Sequence, residues 1–280
     1  MEDGFDIIAL RRAVRNIYLE VFPAENIVEQ LLALPAGASV GITCSPSRGI
    51  EATLKLVERL SGHALNLVPH IAARQVRDAA HLRDILAELE GRGVASLFVP
   101  GGDIRRPAGQ FDSALSLLRV MAEIGHGMTD IGVAAHPEGH PFIDKETLHA
   151  ALLDKQALAN YFVTQMCFDS GKLIEWLTDT RDRGVDMQAW MGLPGVMDRS
   201  KLLSTSLRIG VGESARFALK QKTLAGKLLQ SRRYKPDDLL VELAHHLDDE
   251  ALNIGGFYLF SFNQLEDTLR WRAEILERLV

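Results

Sequence analysis

Glu20 stands inside an apolar run, Leu19-Glu20-Val21-Phe22-Pro23. A carboxyl group in such surroundings is costly to ionise, so burial raises its pKa and suits it to deliver a proton near neutral pH. If the run is a strand, Tyr18, Glu20 and Phe22 share one side. The other reading is an outward carboxylate paired to a helix cation. Gly101-Gly102-Asp103 sets a carboxylate beside two glycines, which let the backbone approach a bulky ligand. The same trio also suits a tight turn with Asp as a helix cap. His136-Pro137-Glu138-Gly139-His140-Pro141 crowds two imidazoles and a carboxylate into one hexapeptide. Its prolines exclude a regular helix and its spacing is not H-E-x-x-H. A rigid loop presenting donors to phosphate or ribose oxygens fits better than a metal site, and a purely structural loop is the alternative. Thr164-Gln165 ends another apolar run, where a substrate or the neighbouring backbone would satisfy the amide. His70, after Val68-Pro69, and Thr43 count as members of the set.

These residues share one position relative to the elements around them. Eight short apolar runs read as buried parallel strands: Asn16–Phe22, Ser39–Thr43, Leu65–Pro69, Ala95–Val99, Asp130–Ala135, Tyr161–Gln165, Asp186–Met191 and Gly255–Phe260. Helical spacing fills the intervals, as in Leu82, Ile85, Leu86 and Leu89. Leu54, Val57 and Leu60 recur at steps of three, as do Leu115, Leu118 and Met121. The βαβα alternation argues for an α/β class with a parallel sheet, and eight repeats argue for a single-domain (β/α)8 TIM barrel. Barrel chemistry lies at the carboxyl ends of the strands, where nearly every run here places a polar residue, Asn263 being the last. Glu20, Asp103, His140 and Gln165 are therefore expected on one rim. A longer helical insert is expected at about 213–249. It would cover the barrel mouth or form a homo-oligomer surface. A doubly wound sheet is disfavoured, since Ile209-Gly210-Val211-Gly212 supplies only G-x-G and no strand precedes it.

The bulk numbers narrow the class. The chain has 280 residues, 47% of them hydrophobic, with a net charge of -6. That is enough apolar material for a large core, and no basic block suggests nucleic acid. Cys44 and Cys167 are the only cysteines and lie in no metal-binding or disulfide spacing, so no metal is expected. No GxSxG elbow or P-loop is present. The N-terminal Met-Glu-Asp-Gly has no signal pattern and no apolar stretch approaches membrane-spanning length. A cytoplasmic protein with no membrane partner is expected.

The set taken together resembles the methylenetetrahydrofolate reductase family, in its bacterial single-domain form. The matching pieces are Glu20-Val-Phe-Pro, Thr43, Pro69-His70, Gly102-Asp103, Ile131 through His140-Pro141, Val163-Thr-Gln165, Phe168-Asp169, Leu193-Pro-Gly-Val196 and Phe257-Tyr258 through Asn263. They run in family order across almost the whole chain. The resemblance implies FAD at the strand ends and NADH or NADPH as hydride source, with methylenetetrahydrofolate reduced to methyltetrahydrofolate. It implies that Glu20 is the general acid for opening the folate's five-membered ring. It places Asp103 near both flavin and pterin, and Gln165 and Gln264 on the folate. Thr43, His70, Gly102, His136, Glu138, His140 and Lys155 are implied cofactor contacts, Lys155 aligning across a one-residue gap. Hydride transfer through a cofactor asks the protein to position and protonate, which suits a set without a nucleophile. Several positions depart from the usual pattern: Gly101 and Gln264 where the family often has Arg, and His136 where it often has Tyr. Ser204 and Arg208 stand where it has Gln and Phe. A flavin-independent reductase of the same substrate, or a non-catalytic folate- or flavin-binding subunit, are the alternatives these departures open.

Overall fold

The structure is a computed structural model that describes residues 4–209 and 233–279. Eight strands form one sheet: β1 (Tyr18–Val21), β2 (Ser39–Ile42), β3 (Asn66–Pro69), β4 (Ser96–Val99), β5 (Asp130–Ala135), β6 (Tyr161–Thr164), β7 (Gln188–Pro194) and β10 (Ile254–Phe260). Their order is β3-β2-β1-β10-β7-β6-β5-β4. The pairs β1–β2, β2–β3, β4–β5 and β7–β10 are parallel. His70 and Phe98 bridge the two end strands of that order in parallel sense, so the sheet closes as a (β/α)8 barrel. Helices alternate with the strands: α1 (Ile7–Arg15), α2 (Val28–Leu32), α3 (Gly49–Leu60), α4 (Ala79–Gly91), α5 (Ala114–Ile124), α6 (Lys145–Lys155), α7 (Ser170–Asp182), α8 (Arg199–Ile209), α9 (Asp237–Ala244) and α10 (Leu265–Arg278).

The contacts group into two compact units, one of Tyr18–Ala134 and Ala151–Phe162, the other of Met1–Ile17, Ala135–Ala150 and Val163–Val280. In the first, α4 starts at Asp78, whose carboxylate accepts from the His81 amide, and buries Leu82, Ile85, Leu86 and Leu89. Helix α5 starts with a reciprocal cap between Ser113 and Ser116. It buries Leu117, Leu118 and Met121, while Leu115 is only half-buried, contrary to the step-of-three pattern. A period of 3.6 residues moves the face on by one position, and Leu117 takes the place. In the second unit, Asp6 caps α1 by accepting from the amides of Ile8 and Ala9. Arg272 of α10 closes the other end of α1 by donating to the carbonyls of Val14 and Arg15.

One expectation is corrected. Strand β7 begins at Gln188 and extends to Pro194, later than the run Asp186–Met191, because it pairs with β10 as far as Phe260. Arg181 holds the preceding turn, donating to the carbonyls of Val185 and Leu252. Most of the expected insert at 213–249 lies beyond what the structure describes. Residues 213–232 lie outside the described residues; within 233–249, β9 (Arg233–Tyr234) pairs antiparallel with β8 (Met197–Asp198) and α9 follows. Among the described residues, no helix is long and apolar enough to cross a membrane.

Candidate active site at the strand carboxyl ends

Glu20 lies one residue from the end of β1, between buried Leu19 and Val21, and is itself half-buried. Its orientation follows from Tyr18, two residues earlier. Tyr18 hydrogen-bonds Ser39 and Asn66 and feels the charge of Asp130 on β5, and its ring lies 6.4 Å from that of Tyr161 on β6. β5 and β6 do not adjoin β1 in the sheet, so only the barrel interior lets Tyr18 reach them. Alternation along the strand puts Glu20 on that interior side. The outward, helix-paired reading is thereby set aside. Glu20 is less enclosed than expected because it stands at the open end of the strand.

Backbone bonds lay the neighbouring strand ends side by side. The Thr43 amide donates to Val21 at 2.9 Å, the His70 amide to Ile42 at 2.8 Å and the Ile71 amide to Phe98 at 2.9 Å. Glu20, Thr43, His70 and the Gly101–Asp103 loop thus follow one another on β1, β2, β3 and β4. Thr43 is buried, and its hydroxyl oxygen has no hydrogen-bond partner among the described residues. His70 is buried with its ring 4.6 Å from that of Phe98, and burial pulls its pKa down to about 3. It is therefore a neutral imidazole at pH 7, offering one donor and one acceptor. Lys155, at the end of α6, is buried and donates to the Ala134 carbonyl at 3.3 Å; burial lowers its pKa to about 8. Asp103 is exposed and caps no helix, since Ser113 caps α5.

The second unit carries the remaining candidates. His136 directly follows β5 and Gln165 directly follows β6, with the Gln165 amide donating to Ala135 at 2.7 Å. The Gln165 side-chain oxygen accepts from the Met166 amide at 2.9 Å, so one half of this amide is already satisfied locally. The rings of His136 and His140 meet edge to face, 5.4 Å apart. His140 Nδ1 accepts from the Phe142 amide at 3.3 Å. Half-buried Glu138 lies close enough to Cys167 to raise the thiol pKa, which burial chiefly lifts to about 12. Cys44 is lifted to about 11. Neither thiol is a nucleophile at neutral pH. After β10, Phe262 and Asn263 have φ of 49° and 61°, backbone strain of the kind that gathers at ligand sites, and half-buried Gln264 precedes α10.

Two groups were missed by sequence reasoning. Met166, Phe168, Met197, Leu202 and Tyr234 form a buried apolar cluster beyond β6 and β7, with Phe260 and Phe262 packed against it. Tyr234 comes from the expected insert, and no local pattern marks it. Arg74 lies among small residues after His70 and nothing in its neighbourhood marks its partners. Among the described residues, no three His, Cys, Asp or Glu gather to hold a metal ion.

A parallel barrel with an interior carboxyl group at β1 and a Gly-Asp loop after β4 narrows the choice of family, and one family model, methylenetetrahydrofolate reductase, matches residues 24–205, more than half of the chain. The chain belongs to the methylenetetrahydrofolate reductase family. Among solved structures, a phosphonopyruvate hydrolase in complex with oxalate and Mg++ matches with a TM-score of 0.50 and 9% identity, covering 98% of this chain and 86% of that chain. That likeness shows the fold alone.

Methylenetetrahydrofolate reductases are in general flavin-dependent, and the side chains present fit such a group. The orphaned Thr43 hydroxyl is the deciding observation. A buried hydroxyl without a partner costs about 1–3 kcal/mol, which a bound ligand would relieve. The neutral His70 ring and the Lys155 ammonium, which donates to the Ala134 carbonyl, are the other buried polar groups of the set.

Proposed function

We propose that this chain reduces 5,10-methylenetetrahydrofolate to 5-methyltetrahydrofolate with NADH or NADPH, FAD being its resident cofactor and the cytoplasm its location. The observation that carries the proposal is Glu20 on the barrel interior at the carboxyl end of β1, in a chain of this family. The overall reaction consumes one hydride from the nicotinamide and one proton. FAD, when bound, supplies a two-electron relay between nicotinamide and folate. Glu20 delivers a proton to N10 of the folate as the C–N10 bond breaks, leaving an iminium at N5 ready for hydride. Asp103 on its glycine-flanked loop balances that cationic centre and contacts both ring systems. The free amide donor of Gln165 takes a pterin acceptor, and Gln264 contacts the folate. Thr43, His70, Gly102, His136, Glu138, His140 and Lys155 hold the cofactor.

One observation favours a second reading. A Cβ built on Gly101 meets nothing within 4 Å, so the space where the family often has Arg is open. Less is then left to hold a flavin, and a flavin-independent hydride transfer from nicotinamide to folate becomes the competitor. A visible absorption spectrum of the purified protein before and after NADH decides. A flavin band that bleaches, together with folate turnover, supports the proposal. A colourless protein that turns over folate selects the second reading, and ligand binding without turnover would leave a binding subunit.

A further inference from the structure

The loop from Pro100 to Ser113, which carries Gly102 and Asp103, has no helix or strand of its own. It is held by the residues just after His70. The amides of Ala73 and Arg74 donate to Pro100 and Gly101 at 2.9 and 3.0 Å. In return, the amides of Ala108 and Gln110 donate to the carbonyls of Arg74 and Arg77 at 2.8 and 3.1 Å. The Arg74 guanidinium then spans the loop: Nε donates to Ile104 at 2.9 Å, Nη2 to Arg105 at 2.8 Å and Nη1 to Asp112 at 2.9 Å, all carbonyls. Two glycines permit this closeness. Gly102 has φ of 95° and its Cβ position is 3.1 Å from the Ala72 methyl, while a Cβ on Gly109 would sit 1.7 Å from the Arg77 carbonyl oxygen.

A guanidinium holds its donors in a rigid plane, so three bonds to carbonyls on both flanks fix the loop as one ammonium could not. Asp103 is exposed and has little packing of its own to set its place. The adjoining Ile104 and Arg105 carbonyls set it instead. We propose that Arg74 is a positioning residue for the reaction, its guanidinium clamping the loop so that Asp103 meets the ligands in one fixed place. The proposal rests on the reading of Asp103 as a site residue.

The test is a double-mutant cycle on the full-length holoenzyme with Arg74→Ala, Arg74→Lys and Asp103→Asn, alongside amide hydrogen exchange. Arg74→Ala is expected to lower kcat/KM for methylenetetrahydrofolate about 100-fold, the effect of a small misplacement. Arg74→Lys should recover only a minor part. In the Asp103→Asn background, Arg74→Ala should cost almost nothing more, and exchange should quicken within residues 101–112 while that in α10 is unchanged. Arg181→Ala is the control, because its guanidinium also donates to backbone carbonyls, those of Val185 and Leu252, but these precede β7 and β10 and involve no residue of the 100–113 loop. An additive cycle, unchanged exchange in 101–112, or an equal kinetic loss in Arg181→Ala would overturn the proposal. A wild type with no folate turnover would sink the proposed function, and the exchange arm would then decide the clamp by itself.

Discussion

Glu20 near the end of β1 and His70 just after β3 differ in how far they are enclosed. Glu20 is half-buried near the carboxyl end of β1, where the proposed function uses it as the general acid. Glu20→Gln keeps shape and hydrogen bonding but removes the proton. Folate reduction should fall by about 100-fold to 10,000-fold, the usual worth of a general acid, while NADH–menadione turnover is retained. Stopped-flow of the two half-reactions checks this, and loss of both would make Glu20 structural. His70 is fully enclosed and stays neutral. Its folded-state pKa of about 3 lies below the ordinary 6.5, so the unfolded chain binds more protons between those values. Stability should therefore fall as pH drops through that window, by up to about 1.4 kcal/mol per pH unit from this group. Urea melts at pH 7 and pH 4.5 should show the loss, and His70→Gln should shrink the difference between them.

Element by element, much was legible because the signals are local. The five-residue runs at β2 and β3 were readable within a residue at each end, since buried parallel strands are continuous apolar runs. β5 matched at both ends. The start of β7 was not readable, because Arg181 and the pairing with β10 set it, and both involve residues some seventy positions apart. The cap of α5 was misassigned in one reading to Asp103, since an Asp after glycines is a common cap and the intervening loop is unusually long. Ser113→Ala is expected to cost about 1 kcal/mol by removing that cap, read as a lower thermal midpoint. Flavin content should be unchanged, because Ser113 serves the helix and not the ligand.

Across the whole molecule, the interior of the barrel is where sequence reading was blindest. Tyr18, Asp130 and Tyr161 form a polar group at the amino ends of their strands, and burial raises the pKa of all three. The Tyr161 hydroxyl has no partner among the described residues, and its ring fills the space a side chain on Gly132 would need, with a Cβ there only 2.3 Å away. Tyr161→Phe removes the orphaned group and should leave stability equal or higher by about 1 kcal/mol. Gly132→Ala should lower it by about 1–3 kcal/mol through overpacking. Denaturant unfolding of both variants checks the pair, and a strongly destabilised Tyr161→Phe would mean that the hydroxyl has a partner.

The residues alone determined the βα alternation, the barrel and the row of polar groups at the strand ends. Each of these is written in short-range patterns of apolar runs and their punctuation. Only the tertiary structure decided that Glu20 faces inward, that His70 is neutral, that half of the Gln165 amide is already taken, and that Arg74 clamps the Asp103 loop. An all-apolar strand carries no mark of which side is inside, and burial, charge state and long-range hydrogen bonds belong to neighbours that only the closed sheet brings together.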